Sequence, residues 1–158
     1  MELLYRWEAA ITETIPIGLV PEGVRLDVHF AGTLVDGMLE GARLRGVDYA
    51  LLRADGIGVI DAWEAITTGD GRAMSAHARG YIVPPSSVEV PPPPVLLDPG
   101  FRWPDVPFPI HGFVMYRTGA AGWEELNSTA AAFEGSLNLG TGAATVTTRA
   151  ALRSPLAV

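Results

Sequence analysis

The sequence predicts an all-β domain, an antiparallel up-and-down barrel, and three observations carry that reading. First, 18 Gly and 13 Pro cut the 158-residue chain into short segments, as sandwiches and barrels require. Second, Val24-Arg25-Leu26-Asp27-Val28-His29-Phe30 alternates apolar and polar residues at period two, the mark of a half-buried strand. Third, Asp36-Gly37, Asp55-Gly56 and Asp70-Gly71 each lie between strand-like runs, and Asp-Gly is favoured in two-residue hairpin turns. Together they predict a meander from Val24 to Val83.

The remaining elements follow in order. Leu3 to Glu13 reads as a first strand. After the meander, ten of the 13 prolines fall between Pro84 and Pro109, including Pro91-Pro92-Pro93-Pro94. Neither a helix nor a central strand survives that density, so residues 84–109 are expected to form an extended surface loop. It is either a lid over a barrel mouth or a solvated connector or oligomer arm. The residues beyond it are too few for a second domain, so residues 1–158 are read as one domain. His111 to Thr118 and Gly142 to Leu152 are expected to close the barrel, with Ala130-Ala131-Ala132 as a further strand rather than a short helix.

Composition narrows the chemistry. Hydrophobic residues make up 48% of the chain, enough for a core, yet no apolar run reaches the roughly 18 residues of a membrane helix. The N-terminus places Glu2 and Glu8 where a signal peptide would be basic and then apolar, so the expectation is a cytoplasmic protein with no membrane partner. There is no Cys, which excludes disulfides, thiolate metal sites and Cys nucleophiles. All 11 basic residues are Arg, so Schiff-base chemistry and the P-loop are excluded too. A net charge of −7 without a basic run argues against nucleic acid. His29, His77 and His111 lack metal-ligand spacing, so neither a metal nor another cofactor is expected.

A resemblance adds to this. Leu39-Glu40-Gly41-Ala42-Arg43-Leu44-Arg45-Gly46, Val47-Asp48-Tyr49, Arg53-Ala54-Asp55-Gly56, Ile60-Asp61-Ala62, Thr68-Gly69-Asp70-Gly71 and Arg79-Gly80 together resemble a bacterial family, domain of unknown function 3237. Tyr116-Arg117-Thr118-Gly119 and Leu126-Asn127 look like that family's closing strand motifs. The chain departs from the family pattern at Tyr49, Trp63, Arg117 and Glu125. The resemblance implies a barrel of about eight strands with a calycin or lipocalin-like shape, and leaves activity open.

Turn geometry then ranks candidate residues. A two-residue turn at Asp70-Gly71 sets Glu64 opposite His77 and Asp61 opposite Gly80; one at Asp55-Gly56 sets Asp61 opposite Ala50 and Asp48 opposite Trp63. Alternation then sends Asp48, Asp61, Trp63, Ala76 and Ala78 to one face, and Glu64, His77, Arg79 and the remaining Arg residues to the other. The first face is small and apolar and is expected to line the barrel. Glu64, His77 and Arg79 become a surface charge lattice. Asp48 and Asp61 would sit among apolar groups, where a carboxyl must be hydrogen-bonded, paired or protonated. Either they fix the barrel, or they form an acid–base pair with Asp61 the proton donor and Asp48 its ionised partner.

Trp63 would stack on a ligand, and Arg117, His111 and Tyr116 would contact it from the closing strand. The expected function is a small-molecule-binding barrel, as a cofactor-free lyase, isomerase or cyclase or as a non-catalytic binder. An outward stripe of Tyr49, Leu51, Ile60, Ile66 and Tyr81 suggests a homodimer or larger homo-oligomer. One register needs repair: a tight Asp36-Gly37 turn sets Val28 and Phe30 on the face opposite Asp48, which a bulge near Gly41 or Gly46 would correct.

Overall fold

The computed structural model describes residues 1–152, and among them eight strands close into one antiparallel barrel in chain order. They are β1 (Glu2–Val20), β2 (Gly23–Gly37), β3 (Arg43–Arg53), β4 (Gly58–Thr67), β5 (Ala73–Ile82), β6 (Pro107–Thr118), β7 (Ala130–Asn138) and β8 (Ala143–Leu152). The meander, both closing strands and the strand at Ala130-Ala131-Ala132 are present, while β1 runs on to Val20, past the expected end at Glu13.

Turn chemistry differs from expectation, with consequences for every face. Arg53 donates its backbone N–H to the Ile57 carbonyl (2.9 Å), and Thr68 donates to the Arg72 carbonyl (2.9 Å). Each hairpin therefore has a three-residue loop, Ala54-Asp55-Gly56 and Gly69-Asp70-Gly71. The last glycine of each takes a positive φ, +86° and +88°, which an L side chain rarely adopts. The extra residue slips each register by one: Asp48 pairs with Ala62 rather than Trp63, and Asp61 with Arg79 rather than Gly80. Two successive slips cancel, so β5 presents the expected face while β4 is inverted. Ile60, Ala62, Glu64 and Ile66 are buried, whereas Trp63 is exposed and Asp61 faces outward. The outward stripe thus loses Ile60 and Ile66 to the core. Exposed apolar side chains of β4 to β6 are instead Trp63, Tyr81, Phe113 and Met115.

The β2–β3 register is repaired without a bulge in that ladder. Gly37 ends β2 while still pairing with Tyr5 of β1, and the chain turns through Met38 to Gly41, so Leu34 accepts from Gly41 and donates to Ala42. Val28 then faces Asp48 directly. β1 carries the irregularities instead, with three register shifts against β2. Its first part, to Ala10, pairs with β8; beyond Ile11 it pairs with β2 alone among the described residues.

The two barrel ends differ. At one, the β6–β7 connection folds a short 3₁₀ helix (Glu124–Ser128) that sinks Trp123 and Leu126 into the core cluster that also holds Leu4, Ala42 and Met74. Asn127 pins it by accepting from the Thr118 N–H (2.9 Å) and donating to the Thr118 carbonyl (3.0 Å). Leu126-Asn127 is therefore part of a plug and not of a strand. At the other end runs the proline-rich segment. It contains one helical turn, α1 (Pro93–Leu96), and ends earlier than expected, because Pro107 and Pro109 already belong to β6. Val90 packs beside Gly56, and Asn138 donates to Asp105 (2.6 Å), which ties the segment to the β3–β4 and β7–β8 turns.

Candidate functional site

The interior holds a cavity whose lining extends to Ile11, Ile82, Leu137 and Gly142, towards the proline-rich end. The volume free to the centre of a water-sized sphere is ≈ 80 Å³, room for several waters or one small ligand. Its walls are mainly apolar: Trp7, Phe30, Ile60, Val114 and Phe133 among larger groups, with Ala9, Ala62, Ala78 and Ala144 leaving the space. No residue of the proline-rich segment lines it, so that segment skirts the mouth without forming its wall.

Two carboxyls break the apolar lining, Asp48 and Glu64. They are diagonal neighbours across β3 and β4, since Glu64 pairs with Gly46 and Asp48 with Ala62. Glycine opposite Glu64 is a spatial requirement. A Cβ at Gly46 would lie 2.6 Å from the Trp63 carbonyl oxygen, 2.8 Å from the Phe30 ring and 3.1 Å from Cγ of Glu64. Glu64 is 8% exposed, and no hydrogen bond to its carboxyl exists among the described residues. Every side-chain polar atom fully sealed from solvent has a partner, so the Glu64 oxygens face the free space of the cavity. Burial is the main cause that pushes its carboxyl up to about 8, and the charge of Asp48 adds to it.

Asp48 has a different environment. β3 and β4 pair regularly up to Asp48↔Ala62 and resume at Leu51↔Val59. In the gap the Asp61 backbone N–H donates to Asp48 Oδ1 (2.9 Å). Burial raises the Asp48 carboxyl to about 6, while this bond and Arg25 oppose the rise. At neutral pH the cavity therefore contains one protonated carboxyl, Glu64, and one ionised carboxyl, Asp48. Unequal environments of this kind separate an acid from a base.

Hydroxyls complete the polar part. Tyr5, which lines the cavity, hydrogen-bonds Tyr116 through the two phenol oxygens (2.8 Å), and the Thr148 side chain also bonds Tyr5. Burial holds both phenols well above their ordinary value, so they remain neutral donors. Among the described residues no Arg or His side chain lines the cavity.

Of the six residues singled out from the sequence, two are interior: Asp48 in the cavity wall, and Tyr116 behind Tyr5. The other four lie on the outer surface. Asp61 accepts from or shares a proton with His77 Nε2 (2.6 Å), and the His77 ring stacks on Trp63 at 4.1 Å and 9°. His111 tilts against Tyr81, and Arg117 donates to the Tyr116 carbonyl (2.7 Å). The physical reason for β4 is the one-residue slip. For β6 it is alternation, because Tyr116 inward forces Arg117 and His111 outward. Glu64, read from the sequence as part of a surface charge lattice, is the site residue that the same slip brings inward. The glycine ending each Gly-x-Gly or Ala-x-Gly loop was the available signal, since it fits the left-handed third position of a three-residue loop.

Comparison with known proteins supports the architecture. No family model matches the chain, and neither does any curated protein. Three solved structures share its shape at 18% identity each. A β-barrel-like protein from Acinetobacter baumannii has a TM-score of 0.72, covering 94% of this chain and 93% of that one. A conserved protein of unknown function from Rhodopseudomonas palustris has a TM-score of 0.70, covering 94% and 95%. A protein of unknown function from Clostridium acetobutylicum has a TM-score of 0.74, covering 96% and 98%. At that identity the likeness is one of fold: this chain is a closed eight-stranded β-barrel, similar in shape to these bacterial proteins.

Proposed function

We propose that the barrel binds a small, mainly apolar molecule in its interior and acts on it by acid–base chemistry without a cofactor, as a lyase, isomerase or cyclase. One observation carries the reading: a buried carboxyl without a partner among the described residues, Glu64, faces an apolar cavity. Leaving such a group unpaired is costly, and a ligand that bonds it recovers that cost. Glu64 takes the proton-donor role first given to Asp61, and Asp48 remains the ionised partner. A compound that is turned over should show kcat/KM confined between limbs near 6, where Asp48 ionises, and near 8, where Glu64 loses its proton.

The experiment is a fragment screen by ligand-observed NMR on the protein and on Ala78→Phe, which fills the cavity. Apolar fragments bearing one polar group are expected to bind the first and not the second. Binding that is insensitive to Ala78→Phe would place the ligand elsewhere and end the proposal. A non-catalytic binder is favoured by one fact, the backbone N–H held by Asp48, which gives that carboxylate a structural task. Retained binding with no conversion of any bound compound selects that reading.

Two surface properties extend the proposal. The exposed Trp63, Tyr81, Phe113 and Met115 give a homo-oligomer, most simply a dimer, a face to use in place of the original stripe. The outer wall also exposes Arg43, Arg45, Arg79, Arg117 and Glu134, the reverse of a lipid-facing barrel's apolar band, and this supports a water-exposed, cytoplasmic protein. No helix among the described residues is long and apolar enough to cross a membrane.

A further inference from the structure

We propose that the ligand's polar group is a protonated amine on a compact apolar body, seated against Glu64 and Asp48; this rests on the reading of the barrel as a binding protein. The argument begins with the sign of the site. Every inward-facing titratable group near Glu64 is an acid or a phenol: Asp48 on β3, Tyr5 on β1 and Tyr116 on β6. The inward positions of β2, β5, β7 and β8 contribute only apolar side chains, glycines and Thr148 to this space. An anionic ligand would meet the Asp48 carboxylate with no cation lining the cavity among the described residues, since Arg25, which bears on Asp48, lies outside the lining.

A neutral carbonyl would take a hydrogen bond from Glu64 and add nothing to the Asp61 N–H and Arg25 that already oppose the charge of Asp48. A cation compensates Asp48 and also converts Glu64 into a second counter-ion, because a nearby positive charge favours the ionised carboxyl. The aromatic wall agrees with this choice. Trp7 and Phe30 stack at 6.1 Å and 13° beside the cavity, and such faces attract ammonium groups. Outside, a net charge of −7 draws cations towards the protein.

Charge balance makes the proposal measurable. At pH 7 the free protein holds the Glu64 proton, and an alkylammonium ion arrives already protonated. On binding, the Glu64 O–H bond breaks, the carboxylate pairs with the ammonium, and about one proton leaves to buffer per ligand bound. The same final state is reached if a neutral amine accepts that proton inside the cavity.

The test compares n-butylamine, n-butanol and butyrate, near-isosteric probes, by isothermal titration calorimetry at pH 7 in two buffers of different ionisation enthalpy. The amine is expected to bind at least about tenfold more tightly than the alcohol, a difference of about 1.4 kcal/mol, with close to one proton released. Butyrate is expected not to bind. Glu64→Gln should abolish the proton release and weaken the amine. Alcohol binding equal to amine binding, without proton release, overturns the amine proposal and leaves the cavity reading intact. Amine binding that is unchanged in both Ala78→Phe and Ile82→Trp, or absence of binding by all three probes, overturns both. The buffer dependence is measured on the unmodified protein, so the proposal stands or falls even where a variant does not fold.

Discussion

The two faces of β4 carry carboxylic acids of similar intrinsic strength with opposite fates. Asp61, facing out, is nearly half exposed and rests against a histidine stacked on a tryptophan. Glu64, three residues on and facing in, has no hydrogen-bond partner among the described residues and is held protonated at neutral pH. Both sit in the same strand, so local sequence does not separate them. What separates them is which side of the sheet a single register assigns, because solvent screens one charge and the cavity wall cannot screen the other.

Breaking the inner side should have the largest effect. A carboxyl whose folded value lies above its unfolded value loses stability as pH rises between the two, since the unfolded chain has already released the proton. For Glu64 that window runs from its ordinary 4.5 to about 8. Glu64→Gln is therefore expected to stabilise the protein at pH 8.5 by on the order of a few kcal/mol and to flatten the decline above pH 5. Urea denaturation from pH 5 to pH 9 measures both. Asp61→Asn, the matched outer change, should shift the same curves by less than about 1 kcal/mol. Equal responses would show that the two faces are not electrically distinct.

Steric tests sharpen the contrast at the next scale down. Gly46→Ala forces a methyl against the Trp63 carbonyl, the Phe30 ring and Glu64, and should destabilise by about 1–3 kcal/mol. Gly71→Ala meets no atom within 4 Å and carries only the strain of its positive φ, about 1–2 kcal/mol. Thermal melts give the order, and the cavity signature of Gly46→Ala is a lost fragment-binding signal that Gly71→Ala retains. Smallest is Tyr116→Phe, which removes one buried hydrogen bond to Tyr5 and should cost about 1 kcal/mol. Thr148 remains as the partner of Tyr5. A cost several times larger would mean that the phenols and Thr148 act as one network.

The barrel was legible because its signals are redundant. Period-two runs, Asp-Gly pairs and the proline block each constrain strands independently, and an error in one leaves the others standing. The site was legible only in part because it depends on phase. Neither Val59-Asp61-Trp63-Ala65 nor Ile60-Ala62-Glu64-Ile66 is a clean apolar set, so the alternation of β4 does not name its own inner face. The decision fell to the turns, where one extra residue moves every side chain across the sheet. In β6 the apolar Phe113 and Met115 share the outer side with His111 and Arg117, which blurs the pattern again. Asp48 was found because β3 keeps the expected phase once the β2–β3 connection lengthens.

The unequal length of β1 has a consequence of another kind. Past Ile11 its backbone has a neighbour on one side only among the described residues, and Ile15, Ile17 and Leu19 are exposed along that stretch. A bare strand border with apolar side chains is a template on which a foreign strand can continue the sheet. Pro16, which has no N–H to offer, and the register shifts on either side of it interrupt the template. A barrel closes its sheet to leave no border, and here the closure stops short of the second half of β1. Resistance to runaway sheet growth therefore rests on a single imino acid and two kinks.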